Sequence, residues 1–237
     1  MRARARFIAP PGSGPAADPG VMTGQMLELD HITVISPTLA EGVAHVQACL
    51  DIDVPFGRRH PDMGTHNHLL RLGESVYLEI IAVNPAAPQP SRPRWFGLDN
   101  AAVVRADWDS GRRLRGWVAR TNDLDAVLAR YADILGKKVA FTSANGDFCF
   151  AIPEDGSLPL DGAAPSVIDR LGKPPSIAAM ADARARLQRV ILEHPEPERV
   201  IALYRDLGIA DPPVVTSGSR LRYRALIETA NGLKELT

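Results

Sequence analysis

The sequence predicts an α+β fold of repeated βαβββ units, and three observations lead there. A strand-like stretch over residues 27–35 is followed by a capped amphipathic helix and by short strands. The same order returns near residue 114 and again near residue 187. The apolar stripes of the helices also superpose: Leu39, Val43, Val46 and Leu50 match Leu124, Leu128, Tyr131 and Leu135, and Val200, Leu203 and Leu207 give a shorter third copy. A unit of this kind buries its helix on one sheet face and leaves the other to curl around a cavity. The expected domain spans residues 26–237, with units at about 27–84, 114–171 and 187–236, the last a partial repeat.

The elements follow in order. Leu27, Leu29, His31, Thr33 and Ile35 alternate with Glu28, Asp30, Ile32 and Val34. Both sets are largely apolar, as in a central strand covered on both faces. Ser36-Pro37-Thr38 starts the first helix with a hydroxyl cap. Strands are expected at residues 56–59, 65–72 and 76–83, with Gly73-Glu74 as a turn. Residues 84–113 are rich in Pro, Arg and Asp and hold Trp95-Phe96 and Trp108. A connection of that length inside a compact domain commonly serves as a lid or linker. In the second unit RLRGWVART is a strand, Asn122-Asp123 caps the helix DLDAVLARYADIL, and strands follow near 138–143, 148–153 and 165–171. In the third, LQRVILEH is a strand, the helix PEPERVIALYRDLGI has proline in its first turn, and LRYRALIETANG forms a hairpin strand.

Composition excludes several classes. The formal net charge of −1 provides no broad attraction to nucleic acid or an anionic membrane. No apolar run reaches the ~18 residues of a membrane helix. Cys49 and Cys149 lack a Cys-x-x-Cys arrangement, so thiolate zinc and dithiol redox motifs are absent. Two buried thiols suit a reducing compartment, and a cytoplasmic location is expected. Residues 1–25 are basic, then Pro/Gly/Ala-rich, with an apolar core too short for a secretory signal, and are expected to form a disordered extension.

Chemistry-bearing residues concentrate in the first unit. His31 lies mid-strand. Glu79 shares a strand face with Tyr77 and Ile81, and a carboxylate within Val-Tyr-Leu-Glu-Ile-Ile is costly unless paired or metal-bound. Gly64-Thr65-His66-Asn67-His68 is the densest histidine cluster; alternation sends His66 and His68 to one face and Asn67 to the other. If His66 points inward it is a candidate metal ligand or general base; if Asn67 does, it orients a substrate. Tyr77 and Trp95 are candidate substrate-binding walls, with Phe96 read as a staple for the linker. His45 and His60 read as solvent-facing, and His194 as a cap of the third helix.

Taken together, LDHITVIS, RHPDMGTHNHLLRLG, VYLEIIAVNP, RPRWFGLD, GWVARTNDLDAVLAR, PEDGSLPLDG and EHPEPERV resemble the vicinal oxygen chelate superfamily, and within it the glyoxalase-like domain branch. The resemblance implies paired βαβββ units forming a half-open barrel of the glyoxalase/bleomycin resistance/dioxygenase type. It implies a divalent metal (Zn, Mn, Fe or Ni), no organic cofactor, a small-molecule substrate, and a possible homodimer. In the family pattern the first strand gives a histidine and the last a carboxylate, which are His31 and Glu79 here. The second unit departs from it, offering Gly116 or Trp117 where a ligand histidine would lie; Asp169 is the available carboxylate. The implied site is a metal at His31, Glu79 and Asp169, with Glu79 and His66 as catalytic groups and Asn67, Tyr77 and Trp95 against the substrate. Two readings follow: a metal-dependent lyase or isomerase, or a metal-free small-molecule-binding protein of the same fold. A third is an interaction module with a vestigial cavity.

Overall fold

The computed structural model describes residues 27–142, 146–173 and 176–237. The expected extension at residues 1–25 lies outside them. The first unit runs β1 (Glu28–Ile35), α1 (Leu39–Leu50), β2 (Phe56–His60), β3 (Thr65–Arg71) and β4 (Tyr77–Val83). The connection that follows holds a helix, α2 (Ala101–Asp109). The second unit is β5 (Leu114–Thr121), α3 (Leu124–Leu135), β6 (Lys137–Phe141), β7 (Phe148–Ile152) and β8 (Ser166–Asp169). The third is β9 (Arg186–His194), α4 (Pro197–Asp206), β10 (Val214–Ser217), β11 (Arg222–Thr229) and β12 (Gly232–Leu236).

The first two units share one eight-stranded sheet in the order β2-β3-β4-β1-β5-β8-β7-β6. β1 and β5 meet antiparallel at its centre, and each is parallel to the last strand of its own unit. The sheet is thus two similar halves joined back to back. The third unit makes a separate sheet, β10-β9-β11-β12, wired differently: β9 pairs parallel with β10 and antiparallel with β11.

Local chemistry sets the helix starts. The Thr38 hydroxyl accepts the Glu41 N–H at 3.2 Å and donates to the Glu41 carboxylate at 2.7 Å, so the cap locks its own third residue. Asp123 accepts the Ala126 N–H at 3.0 Å to start α3. In the connection, Asn100 caps α2 through the Val103 N–H, and Val104 and Trp108, four residues apart, are its buried stripe.

Alternation divides the core into two layers. Ile32, Val34, Leu78 and Ile80 face the helices and the third unit, joining Val46, Leu50, Trp117, Leu192, Tyr204 and Tyr223. Burying an aliphatic side chain such as Val46 or Leu50 contributes about 1.5–3 kcal/mol. Ile35, Ile81, Val118, Phe150, Ile152 and Ile168 face the concave side with Trp95 and Phe96 of the connection. The third unit is tied to the convex side by the Leu187 N–H on the Leu72 carbonyl and by Tyr204 and Tyr223, whose hydroxyls donate to the Ala163 and Gly162 carbonyls. Among the described residues no helix is long and apolar enough to cross a membrane.

Candidate functional site

A small cavity open to solvent lies on the concave side of the sheet, lined by residues of both of its halves. Its polar lining is His31, Arg58, His60, Tyr77, Glu79 and Arg170, and its apolar lining is Trp95, Phe96, Phe148, Phe150 and Ile168.

The polar lining begins with an irregularity in β1. Leu29 pairs with Ala119 and His31 with Val118, leaving Asp30 as an extra residue on its strand. Such a bulge re-aims neighbouring side chains. Here His31 Nδ1 donates to Asp30 Oδ1 at 2.6 Å. Arg170, just beyond β8, grips the same carboxylate with Nε at 2.7 Å and Nη2 at 2.6 Å, and Nη2 also donates to the Tyr77 hydroxyl at 3.1 Å. On its other edge, His31 Nε2 stands 3.4 Å from Glu79 Oε2. Asn67 Nδ2 donates to Glu79 Oε1 at 2.6 Å, and Asn67 Oδ1 accepts the Arg58 backbone N–H at 2.8 Å. The imidazole lies flat on the Tyr77 ring, centroids 4.5 Å apart. A chain of charge thus runs Arg170–Asp30–His31–Glu79 through an almost dry interior.

The protonation states follow. Burial alone would lower the His31 pKa, but hydrogen bonds to Asp30 and Glu79 and their charges raise it above 6.5. Burial would raise Glu79, yet His31, the positive field of His60 and the Asn67 amide hold it at about 2. Against the same burial, Arg170 and His31 hold the Asp30 carboxyl well below the usual carboxylate range. Burial pushes Tyr77 far above the usual phenol range. Both directions favour an imidazolium between two carboxylates.

Trp95 and Phe96 come from the connection and line the cavity. The Gly97 N–H donates to the Gly156 carbonyl at 2.8 Å, pinning this strap to the loop after β7. Trp95 packs on Phe141 and Phe150 at 5.4 and 5.6 Å between centroids, and its edge meets His60. Phe96 sits at φ +61°, a strained conformation for an aromatic residue that the packing on both sides sustains.

The sequence of residues 29–208 matches the glyoxalase-like domain family. The chain belongs to that family. A hypothetical protein from Staphylococcus aureus has a similar fold, with TM-score 0.55 at 12% identity over 87% of this chain and 93% of that one. The methylmalonyl-CoA epimerase from Mycobacterium tuberculosis aligns with TM-score 0.38 at 18% identity over 64% of this chain and 91% of its own. A Streptomyces coelicolor methylmalonyl-CoA epimerase variant in complex with 2-nitronate-propionyl-CoA gives 0.39 at 17% identity, over 64% and 99%. No curated protein sequence matches significantly.

The glyoxalase-like domain brings together His31, Glu79, Asn67, Tyr77 and Trp95, and it separates two other candidates from them. Asp169 is corrected first. Ile168 takes the inward parity in β8, so Asp169 points outward, where it accepts the Leu124 N–H at the start of α3 (3.4 Å) and the Leu171 N–H (2.8 Å). His66 is corrected next. Directly opposed residues share a sheet face; Asn67 opposes the inward Ile81, and His66 opposes Ala82 on the outer face. Neither lines the cavity. Phe96 is a cavity wall as well as a staple, and His60, expected in solvent, lines the cavity too. His45, also expected in solvent, is half-buried and lies 2.8 Å from the Thr237 carbonyl oxygen. His194 accepts the Glu196 N–H at the start of α4, as a cap would.

Pairing registers also show why the second half differs. His31 opposes Tyr77, with Glu79 two residues on; Val118 opposes Ser166, with Ile168 two residues on. His31 and Val118 oppose each other across the sheet centre. Val118 and Ile168 therefore stand at the second-unit counterparts of His31 and Glu79, and Trp117 faces the other layer. The donor set does not suit a divalent metal. Its two first-unit members stand 3.4 Å apart as an ion pair, their counterparts are aliphatic, and no group of three or more His, Cys, Asp or Glu side chains converges among the described residues.

His60 yields a pH test. Burial lowers its pKa from 6.5 to about 4. Its Nε2 accepts from Asn67 at 3.5 Å, which leaves the Nδ1 proton for Thr65 Oγ1 at 3.0 Å. Between pH 4 and 6.5 the unfolded chain binds a proton at this histidine and the folded chain does not, so stability rises with pH there. Glu79 adds the same sign below its unfolded value of 4.5. His31 has the opposite sign: its contribution is complete below 6.5 and is lost as pH climbs through its raised folded value. Stability should therefore peak near neutrality. His60→Gln should reduce the stability gained between pH 4 and 6.5 by about 3 kcal/mol in urea titrations. Part of the slope should remain, because burial lowers His45 and His194 as well. An unchanged slope would remove His60 from the interior.

Proposed function

We propose that this glyoxalase-like domain is a small-molecule-binding protein that holds a ring-bearing ligand in the cavity without a metal. The observation that carries the reading is the engagement of His31 on both edges, Nδ1 with Asp30 at 2.6 Å and Nε2 beside Glu79 at 3.4 Å. Side chains that would ligate a metal instead neutralise each other and form a polar floor. Trp95, Phe96, Phe148 and Phe150 line the same cavity, giving the mostly apolar lining with a few placed polar groups that small-molecule sites use.

The test is metal content together with ligand binding. Protein purified without chelator, with His31→Ala and Glu79→Ala beside it, is expected to carry no stoichiometric metal by elemental analysis. Binding of a neutral aromatic probe such as phenylacetamide, read by quenching of tryptophan emission, should survive dialysis against EDTA. Near-stoichiometric metal in the wild type, lost in both variants, would overturn the reading in favour of the metal-dependent lyase or isomerase.

A further inference from the structure

The charges around the cavity pair off with one left over. Asp30 is matched by Arg170 and Glu79 by His31. His60 is held neutral by burial at neutral pH. Arg58 remains. Its guanidinium lines the cavity, its Nε is buried with no hydrogen-bond partner, and none of the described residues gives its side chain a carboxylate.

An arginine half out of water with an unsatisfied N–H is costly to leave so, and its backbone is held in place. Asn67 holds the Arg58 backbone N–H with the same amide group that grips Glu79. Gly57 permits this approach, because a Cβ there would lie 2.4 Å from Asn67 Oδ1. Arg58 is therefore set by the same bond network as the polar floor. Trp95, Phe148 and Phe150 line the same cavity. An arginine with a partnerless N–H among aromatic rings describes a complement with one negative charge and one flat apolar body.

We infer that the cavity takes an aromatic monocarboxylate, with its carboxylate on the Arg58 guanidinium and its ring against Trp95, Phe148 and Phe150. The planar fork of arginine suits a carboxylate bidentately. This inference rests on the small-molecule-binding reading and adds the charge and orientation of the ligand.

Calorimetric titration of the full chain with phenylacetate and with phenylacetamide, its neutral isostere, separates the two. Phenylacetate should bind the wild type at least tenfold more tightly than phenylacetamide. In Arg58→Gln that ratio should fall to within twofold. Arg58→Lys, which keeps the charge and loses the fork, should give an intermediate ratio. Equal affinity for the two probes in the wild type, or an undiminished ratio in Arg58→Gln, overturns the assignment to Arg58 while the cavity reading stands. Failure of both probes to bind overturns the two together.

Discussion

Arg170→Met is expected to be among the most damaging single substitutions in the first-unit site, with a loss of about 3–5 kcal/mol in urea-monitored stability. The reason is the state of Asp30. Its carboxylate is fully buried, and two of its strong bonds come from Arg170. Methionine keeps much of the apolar stem and removes both bonds, leaving a charge in the interior with only His31 beside it. The pair Asp30→Asn/Arg170→Met should recover at least half of the loss, because the uncompensated charge disappears with its partner. A single-mutant loss below about 1 kcal/mol would show that the charge chain contributes little to the fold.

Gly156→Ala should give the second large effect, through the strap. Gly156 has φ +73°, and a Cβ there would stand 2.1 Å from the Arg94 carbonyl oxygen and 3.0 Å from Pro93 Cβ. The obstruction is backbone, so no rotamer change relieves it. Gly232→Ala is the control: it carries the same kind of conformation at φ +90° but meets nothing within 4 Å. The control should cost about 1 kcal/mol, the conformational term alone. Gly156→Ala should cost roughly 3 kcal/mol, shift Trp95 emission to the red and weaken binding of any aromatic ligand. Equal losses in the two variants, with unchanged emission, would mean that the strap is not held by this contact.

Much of this architecture was legible because its signals are local. The helix caps at Thr38 and Asp123 and the stripes ending at Leu50 and Leu135 are read from spacings of three and four residues, and these positions are capped or buried as expected. Strand parity placed Tyr77, Glu79 and Ile81 on one face because the side-chain period of two leaves little choice, and the family pattern joined His31 to them. What escaped depended on events the pattern does not encode. The bulge at Asp30 breaks the alternation that put this carboxylate on the other face from His31. Arg170 was one arginine among many, distinguished only by the buried carboxylate it meets. Asp169 failed by a single step of parity, the smallest possible error in a strand and one that reverses the face. The helix α2 was hidden by the Pro, Arg and Asp around it, although Asn100 with Val104 and Trp108 carried a readable signature.

The strap has a consequence for how such a cavity diversifies. Trp95 and Phe96 lie in the connection between β4 and β5, and they attach through the Gly97–Gly156 bond without joining any strand. Insertions or ring exchanges there leave every strand register intact. The polar floor, by contrast, is built from β1, β3 and β4, whose side chains are fixed by pairing. Fit and electrostatics are thus written on separate segments of chain, and a grafted strap would retune ligand size while inheriting the charge arrangement unchanged.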